Sequence, residues 1–75
     1  MKGKDYWVSK RPDGLWQHKR EGAERAAGLH KHQEDAWEAG KEAARQTNGE
    51  AFLKNRDGKI RERNTYGHDP RESKG

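Results

Sequence analysis

The sequence contains no cysteine and has few apolar residues. A small secreted domain with so little apolar material usually relies on disulfides, so the absence of cysteine favours a reducing compartment. No apolar run approaches the roughly 20 residues of a membrane-spanning helix. The amino-terminal lysines are not followed by the apolar stretch of a signal peptide. These absences predict a cytoplasmic protein that does not enter a membrane.

Apolar residues make up 27% of the chain and charged residues 40%, a balance that by itself leans towards disorder. Three Trp, two Tyr and one Phe act against it, because each can bury a large area. With 75 residues the chain allows one domain at most, of marginal stability. We therefore expect a single α+β domain over residues 1–66, and a disordered tail over residues 67–75, which contain no apolar residue.

The net charge of +4 is unevenly distributed along the chain. Residues 1–20 hold six Lys or Arg against two Asp, and residues 51–75 hold seven against four acidic residues. Residues 21–50 hold only four Lys or Arg against seven acidic residues. Both ends are therefore basic and the middle is acidic. A surface of one sign attracts polyanions, so nucleic acid becomes an expected partner.

A hairpin is predicted near each end of the chain. Residues 6–10 and 15–20 have the composition of two short strands, and Pro-Asp-Gly between them is typical of a turn. Residues 51–54 and 59–63 flank a second Asp-Gly turn in the same way.

One helix is predicted between the hairpins, over residues 33–47. Small residues and one Trp recur at helical spacing, and Asn48-Gly49 is typical of a helix C-cap. The start is less well marked, because His32 is a poor N-cap. Residues 21–30 are expected to form an extended segment or a short third strand that brings Leu29 under the helix.

The element order β-β-(β)-α-β-β predicts a two-layer α+β domain. In this prediction an antiparallel sheet of three to four strands, built from the two hairpins, carries one covering helix. Strand alternation and helical spacing place the core at Val8, Trp16, Leu29, Trp37, Ala43, Ala44, Leu53 and Ile60, with Tyr6 and Ala51 at its margin.

Several stretches resemble a bacterial family of small proteins. The resemblance covers roughly residues 6–70 and is most specific at residues 19–22 (Lys-Arg-Glu-Gly), 56–61 (Arg-Asp-Gly-Lys-Ile-Arg) and 66–67 (Tyr-Gly). On these residues the chain is similar to the family of domains of unknown function numbered twenty-one eighty-eight. His32 stands where that pattern usually has Thr, and Ala51 replaces a larger aliphatic residue. The resemblance implies a short bacterial or phage protein of this fold and implies no catalytic residues.

Catalytic and metal-binding patterns are missing from the sequence. A catalytic site needs a rigid cleft, for which so thin a domain has little room. The glycines stand singly, and neither serine lies in a nucleophile motif. His30 and His32 are the only close pair of histidines, short of the three or four ligands of a zinc site. We therefore predict a protein that is not an enzyme, without metal, cofactor or small-molecule substrate.

One face of the predicted sheet is the candidate site. If Val8 and Leu53 point towards the helix, Trp7 and Phe52 point to the opposite face. Basic side chains of neighbouring strands share that face in this interpretation. Cations would contact phosphates, and aromatic rings would stack on unpaired bases. We therefore predict a non-catalytic accessory protein that binds RNA or DNA through Trp7, Lys19, Phe52, Lys59, Arg61 and Arg63.

A protein-interaction or dimerisation module is the alternative. Trp7 and Phe52 could form an interface with a partner or a second copy, or an edge strand could pair with one. Self-association would also help so small a core. An ordinary solvated sheet face is the plainer explanation, because lysines also protect edge strands from aggregation. Salt separates the two binding modes, since only phosphate binding weakens steeply as salt rises.

Overall fold

The computed structural model describes residues 3–66, and the prediction for residues 67–75 lies outside the described residues. Six elements follow one another in chain order: β1 (Tyr6–Lys10), β2 (Trp16–Arg20), β3 (Gly28–His30), α1 (Gln33–Thr47), β4 (Glu50–Lys54) and β5 (Ile60–Thr65). The α+β class, the two hairpins, the helix and the short third strand agree with the sequence-based predictions.

The five strands form one mixed sheet in the order β3-β2-β1-β4-β5. β1 pairs antiparallel with β2, β2 with β3, and β4 with β5. β1 and β4, however, run parallel. The predicted antiparallel sheet of three to four strands was therefore wrong in strand number and in its central pair. A parallel pair needs a long crossover connection, and residues 11–49, which include α1, provide it.

α1 covers one face of the sheet with mostly small side chains. Its buried residues are Ala36, Trp37, Gly40 and Ala44. Gly40 lets the helix approach β1 closely, because a Cβ atom there would lie 2.6 Å from Cγ2 of Val8. No helix among the described residues is long and apolar enough to cross a membrane.

The two ends of α1 differ in how well they are capped. Asn48 takes the left-handed conformation (φ 59°), and its N–H bonds the carbonyls of Ala44 and Arg45. The predicted C-cap is therefore confirmed. At the start, His32 occupies the N-cap position, and its side chain makes no capping hydrogen bond. The first turn thus keeps backbone N–H groups that no side chain caps.

The core lies between α1 and the sheet. Ala51, predicted at the margin, is fully buried, whereas Ala43 is only half-buried. Tyr6, which was predicted at the margin, and Tyr66, which was not, are partly buried and pack against this core. The buried apolar residues are Val8, Trp16, Ala36, Trp37, Ala44, Ala51 and Leu53.

Two residues predicted in the core are exposed. Leu29 is 50% exposed and Ile60 55%. Leu29 lies opposite Gln17, so it points away from the helix instead of under it. Ile60 lies opposite Lys54, beyond an irregularity in the β4–β5 pairing. A β-bulge of this kind shifts the alternation of side chains by one residue, which the sequence-based prediction did not include.

Candidate nucleic-acid interface

The face of the sheet opposite α1, which we call the outer face, carries four candidate side chains in one row. Trp7 lies between Lys19 of β2 and Phe52 of β4, and Phe52 lies opposite Arg63 of β5. Directly paired residues point to the same face. Neighbouring strands are about 4.8 Å apart, so the row spans about 14 Å. A cation therefore stands at each end of the row, with two aromatic residues between them.

The two aromatic rings of the row stack on each other. The ring centroids of Trp7 and Phe52 are 4.2 Å apart, and the rings are inclined by 19°. The ammonium of Lys54 lies 5.1 Å from the Trp7 centroid, a distance typical of a cation–π contact. Trp7 Nε1 also donates a long hydrogen bond, 3.4 Å, to Oε1 of Glu21. The stack occupies one face of each ring, so a base could pack only against the ring surfaces that stay exposed.

Polar side chains flank the row towards residues 11–15, the turn between β1 and β2, which we call the first turn. Gln17 Nε2 donates to Ser9 Oγ at 3.2 Å, and Gln17 Oε1 accepts from Arg11 at 3.4 Å. A cavity of about 310 Å³ lies beside them and is lined by Trp7, Lys19 and other residues. The outer face therefore offers a concave surface with hydrogen-bonding groups next to the aromatic pair.

The first turn contains an ion pair in which Asp13 compensates the charge of Arg11. Asp13 accepts hydrogen bonds from the Leu15 backbone N–H at 3.0 Å and from Arg11 Nε at 3.2 Å. The Leu15 bond, followed by the bond and charge of Arg11, lowers the pKa of the Asp13 carboxyl below its ordinary value. Arg11 is thus paired within the turn and contributes little to the charge of the outer face.

Two predicted site residues do not join the row. Glu62 lies opposite Leu53 and Ile60 opposite Lys54, which leaves Arg61 at the bulge without a partner in β4. Arg61 Nη1 donates to Gln33 Oε1 at 3.0 Å, on the helix side, so its predicted place on the outer face was wrong. The prediction assumed unbroken alternation, and the bulge breaks it.

Lys59 lies just before β5, in the turn between β4 and β5 (residues 55–59), which we call the second turn. Its backbone N–H donates to Asn55 Oδ1 at 3.2 Å, and its carbonyl accepts from the Asn55 N–H at 2.8 Å. Its side chain is exposed. Of the three predicted cations from this part of the chain, only Arg63 lies in the row.

A comparison with protein families gives one match. The family model described as an uncharacterized protein conserved in bacteria (DUF2188) matches residues 6–66. The chain belongs to this family. The resemblance seen in the sequence is thereby confirmed, and the DUF2188 match covers every strand, the helix and the whole row on the outer face. No curated protein and no solved structure matches the chain.

A histidine pair on the helix side of this DUF2188 fold was not predicted. His18 Nδ1 lies 2.9 Å from His30 Nε2, so one ring donates and the other accepts. Gly28 leaves the space, since a Cβ atom there would lie 2.6 Å from His18 Cε1. Burial, and then the charge of His30, lower the pKa of His18. Only the β2–β3 pairing brings the two rings together, and no local sequence pattern indicates that register.

Metal binding gains no support from this pair. Zinc sites use three or four protein ligands, and the pair supplies two. Within residues 3–66, no three or more His, Cys, Asp or Glu side chains are grouped so that they could hold a metal ion.

The exposed side of α1 differs from the outer face in charge. It carries several carboxylates, two of which form ion pairs along the helix: Glu38 with Lys41 at 3.1 Å and Glu42 with Arg45 at 2.6 Å. Hydrogen bonds from Arg45, and then from Gln46, lower the pKa of Glu42. The sheet side and the helix side therefore present different surfaces to a polyanion.

Proposed function

We propose that the protein is a non-catalytic accessory protein that binds single-stranded nucleic acid through the outer face. The observation that carries this proposal is the cross-strand row Lys19, Trp7, Phe52 and Arg63. Cations supply the salt-dependent part of nucleic-acid affinity. Aromatic side chains supply stacking, worth about 1–3 kcal/mol per base. The lack of cysteine supports a cytoplasmic location for this activity.

The positive charges of the row, and of Lys54 beside it, are available to a ligand. Three ion pairs occur among the described residues, and none includes Lys19, Lys54 or Arg63. Lys54 already lies over the Trp7 ring, so a phosphate held by its ammonium would lie next to the aromatic pair. A strand that crosses the row would meet a cation, two rings and a second cation in turn.

The acidic side of α1 supports one orientation of the complex. Like charges repel a polyanion, and the carboxylates of α1 are on the layer opposite the outer face. A nucleic acid approaching the molecule would therefore be directed towards the sheet.

An amide chemical-shift titration tests the proposal. Labelled protein is titrated with unphosphorylated single-stranded RNA, single-stranded DNA and duplex DNA, at low and moderate salt. We expect shifts centred on Trp7, Lys19, Phe52 and Arg63 that weaken as salt rises. Replacing Lys19 and Arg63 with Ala should weaken binding at least tenfold and reduce the salt slope by about one for each lost phosphate contact.

The matched control for this experiment is Lys41→Ala. It removes one positive charge from the helix side, together with the ion pair to Glu38 and a cation–π contact with Trp37, and it leaves the outer face unchanged. Its affinity for the oligonucleotide should stay within about twofold of the parent. If no oligonucleotide shifts the outer-face amides even at low salt, nucleic acid is removed as the ligand.

Self-association is the second candidate, and one observation favours it. Among residues 3–66, Leu29 on β3 and Ile60 on β5 are the two large apolar residues left half exposed, and they lie on the outermost strands of the sheet. Sedimentation of the parent and of a Leu29→Ser, Ile60→Ser variant tests this candidate. An apolar interface would give dimers that persist at high salt and disappear in the variant.

Symmetric pairing of two β5 strands is disfavoured within this second candidate. Antiparallel partners directly opposite each other must point to the same face. The two longest symmetric registers therefore place Glu62 opposite Glu62, or Arg63 opposite Arg63, of the second copy. Like charges directly opposite each other destabilise a pair of strands. Any dimer would then form through the outer face or through β3.

A further inference from the structure

A second cationic site lies at one end of the sheet, away from the row on the outer face. β1 and β4 run parallel, so the turns that follow them emerge at the same end. The start of α1 lies there too, because Arg61 Nη1 of β5 bonds Gln33 Oε1 of α1 at 3.0 Å. Between the two turns and the helix start is a cavity of about 460 Å³, which we call the turn-end cavity.

The residues that line the turn-end cavity carry charge of one sign. Four of them are Lys or Arg: Lys10 at the end of β1, Lys31 before α1, Arg56 in the second turn and Arg61 in β5. His32 lines it as well, and no described lining residue carries a carboxylate. Four cations contributed by four separate segments of the chain therefore converge on one cavity. Their mutual repulsion is unfavourable unless an anion or solvent screens it.

These cations are not neutralised by the protein. None of the three ion pairs within residues 3–66 includes Lys10, Lys31, Arg56 or Arg61. The hydrogen-bond partner of Arg61 is the neutral amide of Gln33, which orients the guanidinium without cancelling its charge. Asp13, the carboxylate of the first turn, is held by Arg11.

The start of α1 adds to the same field. The His32 side chain makes no capping bond, so the backbone N–H groups at the start of α1 keep their hydrogen-bonding capacity, at the positive end of the helix dipole. Glu34 and Asp35 lie there as well, and they oppose an anion. Neither of them lines the cavity, whereas the four cations do.

We propose that the turn-end cavity binds the phosphate monoester of a mononucleotide. Arginine suits this role because its planar guanidinium can donate two parallel hydrogen bonds to phosphate oxygens. The volume lies within the range of small-molecule sites and leaves room for more than the phosphate. This site does not depend on the outer face binding nucleic acid, since the two share none of the residues that carry them.

The test is an amide chemical-shift titration with inorganic phosphate, adenosine monophosphate and adenosine, with chloride matching the ionic strength. We expect saturable shifts around Lys31–Gln33 and Asn55–Arg61 with both phosphates, and none with adenosine. If the mononucleotide binds more tightly than phosphate, the space beyond the phosphate is also used. Equal binding would mean that the site recognises phosphate alone. Linear shifts that chloride reproduces would overturn the proposal.

Charge-removing variants show whether the cavity itself is the site. Arg56→Gln with Arg61→Gln should weaken phosphate binding at least tenfold, and so should Lys10→Gln with Lys31→Gln. Arg63→Gln removes the same kind of charge from the outer face and should leave phosphate affinity within about twofold of the parent. All five substituted side chains are exposed, so the variants should keep the parent's amide-shift dispersion. Unchanged phosphate affinity in both double variants would rule the cavity out.

Discussion

Cγ2 of Val8 lies 2.6 Å from the point that a Cβ atom would take at Gly40. Val8 is fully buried in β1, the central strand, and Gly40 is in the middle of α1. The helix can therefore approach the sheet this closely only because Gly40 has no side chain. Glycine normally weakens a helix interior by up to about 1 kcal/mol relative to alanine, and close packing here offsets that loss.

Gly40→Ala should consequently destabilise the protein although alanine favours a helix. Forcing an extra methyl group into a packed core costs about 1–3 kcal/mol, which exceeds the propensity gain of about 1 kcal/mol. We expect the free energy of unfolding in urea to fall by about 1–2 kcal/mol.

A double-mutant cycle provides the control. Val8→Ala removes the methyl group that Gly40→Ala would meet, so in that background Gly40→Ala should be neutral or stabilising. Equal losses in the two backgrounds would mean that Gly40 is not set by its contact with Val8.

Local features of the fold could be predicted from the sequence, and long-range ones could not. Helical spacing and Asn48-Gly49 gave the bounds of α1, and Asp-Gly turns gave both hairpins. The parallel pairing of β1 with β4 joins segments that are far apart in the chain, and no local pattern encodes it. For the same reason the His18–His30 pair could not be predicted, because it depends on the β2–β3 register.

The candidate site shows the same division. Alternation within single strands correctly placed Trp7, Lys19, Phe52 and Arg63 on one face. It failed at Arg61, because a bulge is a property of two paired strands and not of one. The turn-end cavity could not be foreseen for a related reason: its cations come together only once β1 and β4 are parallel.

Trp7 and Phe52 should be energetically coupled. Stacked aromatic pairs contribute about 0.5–1.5 kcal/mol beyond the area they bury. In a cycle of Trp7→Leu, Phe52→Leu and the double variant, urea unfolding should give a coupling energy of that size. Leucine keeps an apolar side chain at each position, so the cycle isolates the ring contact. Additive losses would show that the 4.2 Å stack contributes nothing of its own to stability.

His18 should make stability depend on pH. Its pKa in the folded protein lies below the ordinary 6.5, because burial and His30 disfavour its charged form. The unfolded chain therefore takes up the proton first as pH falls, and the free energy of unfolding should decrease below about pH 6.5. Thermal unfolding at pH 7.5 and 5.5 measures this change. His18→Gln should reduce the change, and an identical pH dependence in the variant would assign it to other groups.

Arg61 and Arg63 stand two residues apart in β5 and should act on different ligands. Arg63 lies opposite Phe52 on the outer face, whereas Arg61 bonds Gln33 and lines the turn-end cavity. Arg63→Ala should therefore weaken binding of an unphosphorylated single-stranded oligonucleotide about threefold to tenfold, with little change for inorganic phosphate. Arg61→Ala should do the reverse. Each variant is the charge-matched control for the other, because both lose one guanidinium from the same strand. If both variants weakened both ligands equally, binding would depend on net charge, and neither surface would be a distinct site.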